Sequence, residues 1–268
     1  MKLKISILLI TLFTISGSVF GQKKPVQPKT VPNKPADVKT LEVKPSTVKL
    51  PTVQEILAKY VQAIGGKEAN EKIKSRMMKG TLELMPMGIK GTIENYTAAP
   101  NKSLNKITLS GIGEIIEGFD GQTAWSINPL QGNRDKQGEE LAQTKITYKF
   151  YREINLDKIY PKMELKGTEK IGANEAYVVV GTPPENLPSE TFYFDTKSGL
   201  LLRQDTTVIS PEGKMPTKTF FEDVREVDGV KLPFKIRSIL PQFEVTIITT
   251  EVKQNVAVED AKFAKPKE

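Results

Sequence analysis

The stretch from Thr52 to Gly66, TVQEILAKYVQAIGG, constrains the fold of this chain most strongly. Thr52 and Glu55 have the spacing of a capping box, which begins a helix, and Gly65 supplies the left-handed position that ends one. A helix of about 13 residues is marginal by itself in water, so its apolar face needs a partner. The apolar residues on that face, all at helical spacing, are Val53, Ile56, Leu57, Tyr60, Val61 and Ile64.

The partner is predicted to be a wide antiparallel sheet. Almost everything after residue 76 alternates apolar and polar residues, with turn sequences such as Asp120-Gly121, Asp195–Gly199 and Asp228-Gly229 between the runs. A sheet of this width curls, closes or splits. We therefore predict an α+β, mostly β fold with about ten or eleven antiparallel strands and two or three helices in one domain.

Two segments are predicted to add helices. Residues 67–74 suggest a short second helix, and residues 139–154 interrupt the strand pattern. In the longer segment a repeat every four residues favours a helix, carried by Ala142, Ile146, Phe150 and Ile154. Alternation of Ile146, Tyr148 and Phe150 leaves a strand open as the alternative.

The first 50 residues predict a leader and a linker. Residues 1–21 combine Lys2 and Lys4, an apolar run and a small-residue cleavage site, which indicates a signal peptide; the alternative is an uncleaved interfacial anchor. Residues 22–50 repeat lysine every five positions among prolines and valines, which predicts a disordered linker. The linker either only tethers residues 51–268 or lies as a basic arm on an anionic envelope surface. The signal peptide predicts export.

Composition excludes several classes of function. The net charge of +7 belongs to the first 50 residues, which hold nine lysines and two acidic residues and leave 30 basic and 30 acidic residues in the rest. A neutral domain does not predict a nucleic-acid partner. With no cysteine and no histidine, disulfides, thiol nucleophiles, histidine bases and the commonest metal ligands are absent. We therefore predict no cofactor and no metal site.

Carboxylate pairs are the remaining catalytic candidates. Glu114 with Glu117, and Glu222 with Asp223, could in principle hydrolyse a glycoside without histidine. Turn chemistry explains Asp120, and the other acidic residues fall at surface positions of predicted strands. We predict that the protein is not an enzyme.

A curved sheet with few helices leaves a hollow unless long side chains fill it. The residues predicted to line such an apolar cavity are Ile56, Tyr60, Leu82, Leu84, Met85, Met87, Ile107, Leu109, Trp125, Ile127, Phe192, Phe194, Phe243 and Val245. Each has an ordinary alternative as core. The methionines, with Met77 and Met78, could simply fill gaps, and Trp125 could be a buried anchor.

Five segments resemble a known family. EILAKYVQAIGG, GFDGQTAWSINPLQG, ETFYFDTKSGLLLRQD, FEDVREVDGVKLPFKI and NVAVEDAKFAKP, in this order from about residue 52 to 266, are similar to LolA-like outer-membrane lipoprotein-sorting proteins. The resemblance implies a half-open antiparallel β-barrel of about eleven strands wrapped over two or three helices, an apolar cavity for acyl chains, and a periplasmic location. Two features depart from the family: residues 81–109 lack the arginine that latches the cavity in true carriers, and the Lys/Pro repeat is extra.

Two functions follow as expectations. The first is a periplasmic carrier that binds a lipid or the acyl chains of a lipoprotein and transfers them towards the outer membrane. The alternative is a non-catalytic cell-envelope interaction module, with a solid barrel tethered by the basic arm.

Overall fold

The computed structural model describes residues 50–266, so the predicted signal peptide and nearly all of the predicted linker lie outside the described residues. The helices are α1 (Val53–Ala63), α2 (Gly66–Lys72), α3 (Gly138–Thr147), α4 (Leu156–Ile159) and a terminal 3₁₀ turn (Asp260–Phe263). The first strands are β1 (Ser75–Met85), β2 (Ile89–Ala98), β3 (Lys102–Leu109), β4 (Gly113–Phe119), β5 (Ala124–Asn128) and β6 (Gly132–Asp135). The others are β7 (Lys162–Ile171), β8 (Asn174–Thr182), β9 (Glu190–Asp195), β10 (Leu201–Ser210), β11 (Gly213–Val227), β12 (Val230–Ile239) and β13 (Glu244–Gln254). Among residues 50–266, no helix combines the length and the apolar character needed to cross a membrane.

All thirteen strands form one antiparallel sheet, in the order β6-β5-β4-β3-β2-β1-β13-β12-β11-β10-β9-β8-β7. The chain therefore makes two meanders, and β13 returns to pair with β1. The sheet stays open between β6 and β7, and α3 and α4 join these two edge strands. The predicted mostly β, half-open barrel with helices is confirmed. The strand number is higher than about eleven, since an edge strand such as β6, with the sequence GNRD, has no apolar residue to reveal it.

The hairpin turns are those that the sequence predicted. Asp120 Oδ1 accepts hydrogen bonds from the backbone N–H groups of Gln122 and Thr123, at 2.8 and 2.7 Å. Asp195 accepts in the same way from Lys197 and Ser198. These local bonds reverse the chain without help from distant residues, which is why their sequence pattern is readable.

Helix α1 packs its apolar stripe on the concave side of the sheet. Its buried residues include Ile56 and Tyr60, and the Tyr60 ring lies 5.1 Å from the ring of Phe194 on β9. The helix ends as predicted, with Gly65 at a φ of 111°. A side chain at Gly65 would collide with the Gly229 carbonyl oxygen, since a Cβ there would lie only 2.1 Å away. Glycine thus allows both the turn and the close approach to the β11–β12 hairpin.

The start of α1 gives a testable prediction. The Thr52 hydroxyl accepts from the Glu55 N–H at 3.2 Å, and the Glu55 carboxylate accepts from the Thr52 N–H at 2.7 Å. We expect Thr52→Ala to lower the free energy of unfolding by about 1 kcal/mol, because one N–H at the helix start loses its acceptor. Urea unfolding followed by circular dichroism measures this. Thr52→Ser keeps the cap, so its free energy of unfolding should stay within a few tenths of a kcal/mol of wild type. An equal loss in both variants would contradict the capping role.

The helix predicted over residues 139–154 is correct only in its first part. Helix α3 ends at Thr147, and residues 148–155, called the connector below, run as turns until α4 begins. Tertiary contacts override the helical spacing: the Phe150 N–H donates to the Pro100 carbonyl at 2.9 Å. The Arg152 guanidinium donates to Glu190 on β9 at 2.8 Å. A continuous helix would not satisfy both.

The apolar core lies in two main parts. One lies under α1, where Ile56, Tyr60, Phe192 and Phe194 pack together. The other fills the far end of the concave face, where side chains from opposite halves of the sheet meet: Leu82, Leu84, Ile93, Ile107, Leu109, Ile115, Val208, Ile236, Leu240, Val245 and Ile247. The concave face is therefore packed with apolar side chains at this far end.

Candidate functional site

A cavity of about 200 Å³ lies between α1, the connector and the concave face of the sheet. Its apolar wall includes Tyr60 and Ile64 from α1, Leu200 and Leu201 beside and on β10, Phe221 and Val224 on β11, and Leu232 and Ile236 on β12. The connector forms the opposite side with residues 148–151, 153 and 154. Ordinary small-molecule pockets measure about 300–1,000 Å³, so this cavity is small.

One wall of the cavity carries an arginine. Arg76 on β1 donates from Nη2 to the side-chain oxygen of Gln254 on β13 at 3.3 Å, and its guanidinium carbon lies 5.8 Å from the centre of the Phe150 ring. Its Nε is buried and has no hydrogen-bond partner among the described residues. Burial lowers the pKa of the Arg76 guanidinium to about 10, against the opposing influence of the Glu153 carboxylate.

The remaining charges of the cavity wall are mainly positive. Lys149 of the connector and Lys231 of β12 are exposed, and neither side chain forms an ion pair with any residue that the structure describes. Among the described residues that line the cavity, Glu153 is the one with an acidic side chain. This side chain is half exposed, and its Oε1 lies 3.5 Å from Nη1 of Arg152. Apolar side chains from α1 and from β10–β12 thus line the cavity together with three cationic side chains, Arg76, Lys149 and Lys231.

A buried polar network holds the connector against the sheet. Arg152 Nη2 donates to Glu190 Oε2 at 2.8 Å and to the Tyr160 hydroxyl at 2.6 Å, and Gln204 Nε2 donates to the same Glu190 oxygen. Burial opposes the charge on Arg152, but the Tyr160 oxygen and the carboxylates of Glu190 and Glu153 together raise its pKa. Arg152 therefore stays charged and fixes one side of the cavity.

Only Tyr60 of the residues predicted to line a cavity lies in the wall of this one. Leu82, Leu84, Ile107, Leu109 and Val245 are core residues of the packed far end, and Phe243 packs against them. Ile56, Phe192 and Phe194 form the core under α1. Met85 and Met87 flank the β1–β2 turn and are 47% and 40% exposed, and Ile127 is partly exposed on β5. A ligand-binding role for these residues stays a prediction.

Trp125 lies in the core, away from this cavity. Its ring is buried and its Nε1 donates to the Phe263 carbonyl at 3.0 Å, which ties the C-terminal 3₁₀ turn to β5. The sequence offered both a core anchor and a cavity wall; for this cavity the first is correct. Its intrinsic fluorescence is therefore a poor reporter of cavity occupancy.

The prediction that the early strands lack an arginine was wrong, because it placed the start of the first strand too late in the chain. Strand β1 begins at Ser75 rather than near Thr81, so Arg76 lies on the first strand and faces the cavity. Its guanidinium bonds to a side-chain amide on β13 rather than to helix backbone. Alternation with Met78 could have extended the predicted strand back to Arg76.

The candidate catalytic carboxylates have structural partners. Glu114 pairs with Lys106 at 2.6 Å, and Glu117 pairs with Lys136 at 3.2 Å. Asp223 pairs with Arg225 at 2.6 Å, and Glu222 pairs with Lys235 at 2.5 Å. Within residues 50–266, no group of three or more acidic side chains is placed to hold a metal ion.

Several solved structures share this fold at low sequence identity. A LolA superfamily protein from Nitrosomonas europaea matches with a TM-score of 0.52 at 15% identity, over 81% of this chain and 99% of that one. A DUF1329 family protein from Desulfovibrio piger matches with a TM-score of 0.53 at 15% identity, over 79% and 97%. A Vibrio parahaemolyticus domain described as outer membrane lipoprotein-sorting reaches 0.50 at 11% identity, over 78% and 93%.

At these identities the likeness shows the fold alone. No protein-family model matches the sequence. No curated protein matches it either. The folded part of this chain thus has a LolA-like fold, and the resemblance seen in the sequence is confirmed at that level.

Proposed function

We propose that this protein is a non-catalytic periplasmic carrier that binds a lipid, or an acyl chain of a lipoprotein, and passes it towards the outer membrane. The observation that carries the proposal is the apolar cavity between α1, the connector and the sheet. The LolA-like fold supports it, because one structure of this fold is described as an outer membrane lipoprotein-sorting domain. The signal peptide predicted over residues 1–21 supports export.

The size of the cavity limits what it holds as it stands. A dry apolar cavity of about 150 Å³ binds benzene, so about 200 Å³ accommodates only a short run of methylene groups. Each buried CH₂ contributes about 0.8 kcal/mol. A full-length chain therefore needs the connector to move away from the sheet. Transfer then requires no covalent step, only an acceptor that binds the chain more tightly.

The test is to fill the cavity. Val224 lies in the apolar wall and is only partly buried, so Val224→Trp inserts a large ring into the cavity at small cost to folding. The full chain is expressed in a Gram-negative envelope, purified without detergent, extracted with organic solvent and analysed by mass spectrometry. We expect near-stoichiometric acyl species from wild type and at least a tenfold loss in Val224→Trp.

Glu226→Trp is the matched control, because it introduces the same ring at an exposed position of the same strand that is not part of the cavity wall. It should keep the acyl content of wild type. An extract without acyl species, or equal loss in both variants, would contradict the carrier function.

The packed far end of the concave face favours the alternative, a cell-envelope interaction module. In that case the predicted linker, residues 22–50, provides the attachment through its lysines to an anionic surface. Deleting residues 23–49 from the mature chain should then release the protein from sedimented envelopes. The released fraction should equal the fraction of full chain that about 0.5 M salt releases. A linker that serves only as a spacer leaves sedimentation unchanged.

A further inference from the structure

We infer that the cavity selects an amphiphile with an anionic headgroup, a carboxylate or a phosphate, and that Arg76 binds this headgroup while the apolar wall takes the chain. This inference rests on the proposed function, since it specifies the ligand of the same cavity. It adds a polar determinant that an apolar pocket for acyl chains does not require.

The geometry of Arg76 is the first argument. A guanidinium has five N–H donors in a planar fork. In this structure the fork makes one hydrogen bond of 3.3 Å to a neutral amide, and the buried Nε makes none within residues 50–266. Arg152, which is buried, has a carboxylate partner in Glu190 at 2.8 Å, whereas Arg76, which is half-buried, has none within residues 50–266. Arg76 has free donor capacity at a wall of the cavity.

The charge of the wall is the second argument. Arg76, Lys149 and Lys231 give three positive charges, against the single carboxylate of Glu153. Glu153 is within electrostatic reach of Arg76, but its ion pair is with Arg152, at 3.5 Å. A wall with excess positive charge favours an anionic headgroup over a neutral or cationic one.

The separation of polar and apolar walls is the third argument. Arg76 lies on β1, paired with Thr97 of β2 and Gln254 of β13, and Thr97 also lines the cavity. Tyr60, Leu201 and Ile236 form the apolar wall from other elements. A ligand with its charge at Arg76 and its chain along this wall satisfies both surfaces at once. A bound carboxylate or phosphate oxygen would accept the N–H of Nε and convert a costly buried cation into a paired one.

The experiment compares probes with one tail and different heads. Wild-type full chain, stripped of bound lipid, is titrated below the micellar range with oleate, with 1-oleoyl lysophosphatidate and with methyl oleate. We expect at least one anionic probe to bind roughly 10- to 100-fold more tightly than methyl oleate, the range of a charge-assisted hydrogen bond. A preference for oleate identifies a carboxylate head, and a preference for lysophosphatidate a phosphate head.

Variants assign the preference to Arg76. Arg76→Met should lower the affinity for the anionic probe by roughly the same factor and leave the affinity for methyl oleate unchanged. Arg76→Lys keeps the charge without Nε, so it should recover part of the lost affinity. Arg225→Met is the matched control: it removes a nearby arginine whose guanidinium is already paired with Asp223 at 2.6 Å, and it should bind as wild type. Thermal unfolding shows whether each variant is folded.

The outcomes separate this inference from the function on which it rests. Equal binding of all three probes by wild type overturns the headgroup inference and leaves the carrier standing. A preference that Arg76→Met does not change also overturns it. Failure of every probe to bind contradicts the carrier itself.

Discussion

Replacing Glu190 with glutamine is expected to lower the free energy of unfolding by about 3–5 kcal/mol, a large part of the stability of a domain. Glu190 is buried on β9 and accepts hydrogen bonds from Arg152 at 2.8 Å and from Gln204. The neutral amide leaves the buried Arg152 charge with only its longer contact to the half-exposed Glu153 carboxylate, at 3.5 Å. Breaking a buried ion pair costs far more than the intact pair contributes, because the remaining charge has lost its water as well as its partner.

Urea unfolding at neutral pH, followed by far-UV circular dichroism, measures this loss. The matched control is Glu222→Gln, whose carboxylate pairs with Lys235 and Arg237 on a partly exposed face of the sheet. It should change the free energy of unfolding by less than about 1 kcal/mol. Arg152→Met combined with Glu190→Leu removes both charges and should recover much of the loss. A loss in the double variant as large as that of Glu190→Gln would show that the unpaired charge is not the cause.

Trp125→Ala is also expected to lower the free energy of unfolding by about 3–5 kcal/mol, because it leaves a cavity in the core. The Trp125 ring is 1% exposed and packs directly over Gly118, where a Cβ would lie 2.2 Å from the ring. The same substitution removes the donor to the Phe263 carbonyl at 3.0 Å. The C-terminal turn, whose Phe263 side chain is fully buried, then loses its hydrogen bond to β5.

The coupling between these two residues can be measured in a double-mutant cycle. Phe263→Ala should cost a similar amount, and the double variant should cost clearly less than the sum, because each single change already weakens the anchoring of the same C-terminal turn. Leu130→Ala is the control, because Leu130 lies in the β5–β6 turn and is exposed. This substitution should change the free energy of unfolding by less than about 0.5 kcal/mol. Fully additive losses would contradict a shared anchor.

The site shows where inference from sequence reached its limit. The sequence predicted an apolar hollow over the face that carries Leu82, Leu84, Ile107 and Leu109, and that face is apolar and buried. It is filled, however, by residues from strands that are distant in the chain, such as Val208 and Val245. Alternation tells which side of a strand turns inward, but not which distant side chain meets it there.

Arg76 and the connector were missed for related reasons. A charged residue near the start of a strand resembles a surface residue unless the opposite wall is known, and the wall here is built by residues 148–154. Those residues leave the helix that their spacing favours, because Phe150 and Arg152 bond to partners on other elements. Intrinsic helix preferences amount to less than about 1 kcal/mol per residue, which such contacts exceed.

The sequence by itself determined helix α1 with both of its ends, the hairpin turns at Asp120, Asp195 and Asp228, and the mostly β architecture. These features depend on bonds between residues a few positions apart, so their signals are local. The tertiary structure alone decided which end of the curled sheet is packed and which stays hollow, and that a cation borders the hollow. Those outcomes depend on how far the sheet curls and which distant side chains it brings together, and no local pattern encodes them.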